Sequence, residues 1–260
     1  MKSKKIFPST IFSAVILIVC TIVIVAPSLF FTDYLSLYLN KEYIDRIPVF
    51  IFFLLILLFS FFINQKRGIA VSFSFKLPIN LSLIGFSILL VIALQVGINS
   101  ILCAGINNLL DNHYPIKNSF EVINFSLFST VLLSPFLEEL LFRGTILKGF
   151  LSNYSVVKSI VYSSVIFGLI HFAPATIICA IILGLFFGWL YYKTDSITLT
   201  FILHAVANFT ILVTEYFRYH ISDNLSWYNI YGKYSFLIIF LSVLVVIVCF
   251  VQLIKQFRKL

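Results

Sequence analysis

Residues 134–144 read SPFLEELLFRG. Two glutamates and an arginine, Glu138, Glu139 and Arg143, stand inside a run of Leu and Phe. What they mean depends on their surroundings. The 260-residue chain is 61% hydrophobic and only 11% charged, whereas globular domains are nearer a quarter charged. Apolar runs near 20 residues recur along its length, as in a helical membrane protein. The expected fold class is therefore all-α: a polytopic transmembrane helical bundle of about eight spans. Those spans fill the chain, so residues 1–260 read as a single integral membrane domain.

Eight spans can be drawn, at about 10–31, 47–64, 79–104, 122–149, 156–173, 175–192, 196–217 and 235–254. The N-terminal apolar region is too long for a signal peptide and has no small-x-small cleavage site; it is read as the first helix. Charge then sets the orientation. With the N-terminus in the cytoplasm, the cytoplasmic side holds Lys2, Lys4, Lys5, Lys66, Arg67, Lys76, Arg143, Lys148, Lys158, Lys193, Lys255, Arg258 and Lys259. An even number of spans returns the C-terminal KQFRKL to the same side, so both termini are expected in the cytoplasm. The net charge of +8 thus belongs to loops facing the cytoplasm and does not point to nucleic acid. The expected location is a bacterial cytoplasmic membrane. Cys20, Cys103, Cys179 and Cys249 each lie in an apolar run without a CxxC pair, and read as small buried hydrophobes.

An ionisable group at the bilayer centre costs about 2.5–3.5 kcal/mol on insertion scales, so those that persist face a cavity or a partner. The polar residues in the spans that need a reason are Glu138, Glu139, His171, His204 and Asn208, with Arg143 close by. Glu139 and Arg143 are four apart, share a helix face and can pair. Glu138 points about 100° away and is expected to have no cationic partner within its own helix. One acid then reads as structural and its neighbour as a general base. Pro135, four residues before Glu139, is expected to bend the helix and loosen its backbone. The plain alternative is that Arg143 snorkels to a cytoplasmic surface and leaves both acids near headgroups. Phe167 and His171 stand one turn apart in FGLIHF, and His204 and Asn208 one turn apart in FILHAVANF. Polar residues on three helices can converge in a bundle core. From the helical rise, Glu138 and His204 lie at similar depth, about 16 and 12 Å from their cytoplasmic ends. His171 lies deeper, at about 20 Å or more, a mismatch that a longer or tilted fifth helix would remove. His113 and His220 fall in expected outer loops and receive no role.

EELLFR, FGLIH and HAVAN, in that order on separate spans, resemble the three motifs of the CPBP family, also called the Abi family. It includes the CAAX prenyl proteases and bacteriocin-processing enzymes, and its motifs run EExxxR, FxxxH and HxxxN or HxxxD. The resemblance covers a protease-like core of about residues 120–215. It implies intramembrane peptide-bond cleavage in which Glu138 activates water with help from His171. His204 and Asn208 would stabilise the oxyanion, while Glu139, Arg143 and Phe167 support the site. The chemistry suits these residue types, because amide hydrolysis needs a base for water and donors aimed at the developing oxyanion.

No cofactor is required by this reading. A divalent metal such as zinc held by Glu138, His171 and His204 stays open beside the metal-free glutamate mechanism, which is slightly favoured because HExxH is absent. GxSG and GxGD are absent too, which removes rhomboid-type and presenilin-type sites. The expected partners are a peptide or membrane-protein substrate and the lipid bilayer. Bacteriocin immunity and peptide-pheromone processing are roles the resemblance allows. The rival readings are a non-enzymatic membrane partner or immunity protein, and a small proton-coupled transporter.

Overall fold

The structure is a computed structural model that describes residues 5–35, 37–38, 44, 46–78, 80–110, 125–221 and 231–258. Among the described residues the regular elements are helical, without strands. We label the eight main helical runs α1 (Ile11–Leu35), α2 (Ile47–Lys66), α3 (Leu81–Leu109), α4 (125–151), α5 (Val156–Leu169), α6 (Pro174–Thr194), α7 (Ile197–Ile221) and α8 (Ser235–Phe257). They match the eight apolar runs of the sequence to within a few residues. Six of them, α1 to α3 and α6 to α8, are long and apolar enough to cross a membrane. Large apolar side chains such as Phe12, Val23, Leu81 and Phe236 stand exposed along these helices. In lipid that exposure carries no hydrophobic penalty, and helices satisfy their own backbone groups. The chain is an integral membrane protein.

The fifth run departs from expectation. It was expected to reach residue 173 but ends at Leu169, after 14 residues. At about 1.5 Å per residue it is roughly 21 Å long, short of a bilayer core of about 30 Å. Pro174 explains the stop: it opens α6 at a position where its missing N–H is harmless, and it holds Ala173 in an extended conformation. His171 therefore stands in the turn after α5 and not within the helix. The seventh run extends to Ile221, which puts His220 on a helix where an outer loop was expected. His113 lies outside the described residues.

The chain divides into two compact units: residues 1–75 with 124–163, and 76–123 with 164–260. In the first, α1 packs on α2, and α2 on the middle of α4. Asn64 of α2 is buried and clasps the backbone of Phe7 from both sides: its Oδ1 accepts from the Phe7 N–H and its Nδ2 donates to the Phe7 carbonyl, each at 2.8 Å. Gly149 of α4 lies against the Pro8 carbonyl where a Cβ would collide with backbone.

In the second unit α3 packs against α6, α7 and α8. Leu90, Val91 and Leu94 of α3 meet Phe187 and Leu190 of α6, Leu203 and Ala207 of α7, and Cys249 and Leu253 of α8 in one buried cluster. Gly97 lets α3 approach α8 closely, since a Cβ there would stand 2.5 Å from Ser242 Cβ. Gly184 marks another close helix contact: its Cβ would lie 3.1 Å from Ser164 Cβ and 3.2 Å from Phe167 Cδ1.

Candidate active site

The first motif occupies the middle of α4, and its backbone is not uniform. An α-helical stretch, Ser134–Leu141, carries Glu138 and Glu139. A π-helical turn precedes it at Ser129–Leu133 and another follows at Phe142–Leu147. Pro135 accounts for the first: without an N–H it cannot continue the hydrogen-bond ladder, and the wider turn absorbs the misfit. The loosening expected at Pro135 thus takes the form of a π turn. In the second, Thr145 Oγ1 donates to the Leu140 carbonyl five residues back, at 3.1 Å. The hydroxyl thereby satisfies a carbonyl that the change of helix pitch would leave short of a donor. Single π turns inside α-helices are frequent at functional sites.

Glu139 and Arg143 form the pair their spacing predicts, with Arg143 Nη1 2.7 Å from Glu139 Oε1. The side chains are 0% and 2% exposed, so the snorkelling alternative does not hold. Arg143 is among the largest fully buried side chains of the protein. Glu138, half-buried, also acts electrostatically on the same guanidinium. The expectation that Glu138 has no cationic partner within its own helix is corrected here, since Arg143 is on that helix. Phe142 is fully buried behind the motif, and its carbonyl accepts from Ser163 Oγ of α5 at 3.4 Å.

The second and third motifs meet in the other unit. Phe167 is 2% exposed, and its ring touches both histidines edge-to-face. Its centroid lies 5.1 Å from that of His171 at 76°, and 5.8 Å from that of His204 at 84°. His204 is buried on α7 between Phe167 and Phe187 of α6, the latter at 5.7 Å. Asn208 follows one turn later and is half-buried.

The turn that presents His171 is tightly built. His171 N–H donates to the Gly168 carbonyl at 3.0 Å, and its Nδ1 lies 2.9 Å from the Phe167 carbonyl. A carbonyl can only accept, so Nδ1 carries a proton, and in the neutral imidazole Nε2 is the nitrogen with the lone pair. That nitrogen is then the one available to accept a proton or to bind a metal. Phe172, next in sequence, is held at φ 59° in the left-handed region, where a Cβ crowds the following carbonyl.

Two site-supporting residues escaped sequence reading. Gln95 and Asn99 lie on α3, 3% and 4% exposed, in a π-helical turn at Leu94–Asn99. Asn99 Nδ2 donates to Gln95 Oε1. Gln95 Nε2 in turn donates to the Ala207 carbonyl at 3.3 Å, between His204 and Asn208 on α7. The available signal was two amides four residues apart in an apolar span, ALQVGINS. Phe187, the other wall of His204, sits in a run of apolar residues and gave no signal.

No group of three or more His, Cys, Asp or Glu arranged to hold a metal ion occurs among the described residues. Comparison with curated proteins and with solved structures found no match to either. A family model does match: residues 121–210 fit the one described as Rce1-like, type II CAAX prenyl endopeptidase Rce1-like. The matched segment holds all three motifs, from Glu138 to Asn208. Through residues 121–210 the chain is similar to the CPBP, or CAAX protease, family.

Proposed function

We propose that this protein is an intramembrane endopeptidase that hydrolyses a peptide or a membrane-associated protein with water activated by Glu138. The observation that carries the reading is that Phe167, a motif residue, makes edge-to-face contact with both His171 and His204 inside the family-matched segment. A buried ring rigid in this way fixes two histidines that the protease chemistry requires to act together.

In this mechanism Glu138 takes a proton from water as the hydroxyl adds to the scissile carbonyl, and later delivers it to the departing amine. Its neighbour Glu139 is committed to Arg143 by the buried ion pair, which separates the roles of the two acids. His171, with its Nε2 lone pair, accepts a hydrogen bond from the attacking water and orients it. His204 and Asn208 donate to the oxyanion of the tetrahedral intermediate. Were zinc present, Glu138, His171 and His204 would be its donors, and it would polarise the carbonyl; the steps above use protein groups alone.

The substrate class that fits is a chain segment lying at or in the bilayer, such as a peptide precursor or a membrane-protein tail. Bacteriocin immunity or pheromone processing would follow from cleavage of such a peptide in a bacterial cytoplasmic membrane.

The test compares peptides recovered from membranes carrying wild-type protein and Glu138→Gln. The proposal expects a defined set of cleaved C-terminal fragments with wild type and at least a 100-fold loss with the variant, at equal membrane insertion. Equal fragment yields from both would sink it and favour a non-enzymatic partner.

A further inference from the structure

Cys103 and Cys179 are 76 positions apart in sequence, on α3 and α6, in runs that look like ordinary apolar spans. The fold brings their sulfurs to 2.6 Å. A covalent S–S bond measures about 2.05 Å, so the pair stands a short displacement from one. Cys179 is buried and Cys103 partly accessible, which divides the roles: one sulfur can meet a reagent while the other lies behind it. Each thiol also has a backbone acceptor, Ala175 O for Cys103 at 3.7 Å and Asn99 O for Cys179 at 3.6 Å. The remaining cysteines differ: Cys20 is exposed and Cys249 buried, and neither has a sulfur neighbour recorded in the structure. The expectation of four equivalent buried hydrophobes is corrected on this point.

We propose that Cys103 and Cys179 are a disulfide-forming site that staples α3 to the first turns of α6. The reaction is a thiol–disulfide exchange with a small-molecule disulfide. Cys103, as thiolate, attacks one sulfur of the reagent, forms a mixed disulfide and expels one thiolate. Cys179 then displaces the second thiolate, closing the Cys103–Cys179 bond. Two electrons and two protons pass from the pair to the reagent, which leaves as two thiols.

The surroundings favour this site over a casual contact. Cys179 lies five residues after Pro174, next to the turn that holds His171. Its acceptor residue, Asn99, bonds Gln95, which bonds the Ala207 carbonyl. A bond between the sulfurs would therefore tie α3, α6 and α7 at one level. Charge bias agrees: with the N-terminus cytoplasmic, α3 runs outward and places Cys103 about 33 Å along the helix from Leu81. That is the outer side of the membrane, away from cytosolic reductants.

The experiment uses full-length protein in detergent, with Cys20→Ser and Cys249→Ser to leave only the pair, treated with dithiodipyridine. The proposal expects an intact mass lower by two hydrogens, loss of both thiols to maleimide labelling after denaturation, and recovery of both with dithiothreitol. Two retained pyridylthio adducts, unreacted thiols, or chains linked to one another would each overturn it. Wild-type protein serves as a second measurement should the double variant misfold. A non-reducing digest must then yield a peptide joining Cys103 to Cys179, and its absence after oxidation refutes the site. Neither readout depends on cleavage by the protein itself, so the outcome is independent of the proposed function.

Discussion

Arg143 and Glu139 show how much a pair of side chains can decide. Both are buried, and removal of Glu139 deprives the Arg143 charge of its paired carboxylate in low dielectric. Glu139→Gln is expected to destabilise the protein by about 3–5 kcal/mol. Glu139→Leu combined with Arg143→Met removes both charges and should recover most of that loss. Thermal unfolding in detergent measures both; equal stability of Glu139→Gln and wild type would contradict the pair's structural role. Phe167 makes a different demand, since its ring contacts both His171 and His204 edge-to-face. Phe167→Leu keeps apolar bulk but removes two aromatic contacts of about 0.5–1.5 kcal/mol each. Under the proposed mechanism, cleavage per folded molecule should fall about ten-fold or more, while the melting temperature falls by only the few degrees that those contacts account for. Loss of stability without loss of specific activity would reduce Phe167 to packing.

At the scale of elements, the first two motifs sit where helices depart from regularity, while the third lies on an unbroken helix. Helix α4 carries π turns on both sides of Glu138 and Glu139, α3 has one at Gln95, and α5 ends early to present His171. Each departure is stabilised locally by a hydroxyl, an amide or a proline. Packing of α5 on α6 rests on missing side chains. A Cβ on Gly168 would stand 2.5 Å from Ile181 Cγ1 and 2.7 Å from the Ile177 carbonyl. Gly168→Ala is therefore expected to destabilise by about 1–3 kcal/mol. Gly85, on α3, would meet nothing within 4 Å, so Gly85→Ala should stabilise by about 0.5–1 kcal/mol through helix propensity. Opposite shifts in melting temperature for the two variants are the expected outcome, and shifts of one sign would show that the α5–α6 contact is looser than described.

At the scale of the whole molecule, two further expectations can be measured. The distribution of Lys and Arg implies that both termini face the cytoplasm. A reporter active only in the cytoplasm should then work when fused to either end, and activity at one end alone would require an odd number of crossings. The proposed glutamate mechanism also expects cleavage to survive prolonged treatment with a strong zinc chelator. Activity abolished by chelation and restored by zinc would move Glu138, His171 and His204 into the role of ligands.

The membrane class, the eight helical runs and the three motifs were legible in the sequence because they are local properties. Apolar run length reports a span, and a four-residue interval reports a shared helix face, without reference to the rest of the chain. Glu139 and Arg143 pair for that reason, as do Phe167 and His171. Tertiary structure alone decided what meets across long separations: His204 against Phe167 and Phe187, Gln95 against the Ala207 carbonyl, and Cys103 against Cys179. An apolar span is nearly uniform in composition, and lipid and neighbouring helices are equally apolar, so its pattern does not say which face turns inward. Shape made that choice, through small residues such as Gly97, Gly168 and Gly184 that let particular backbones approach.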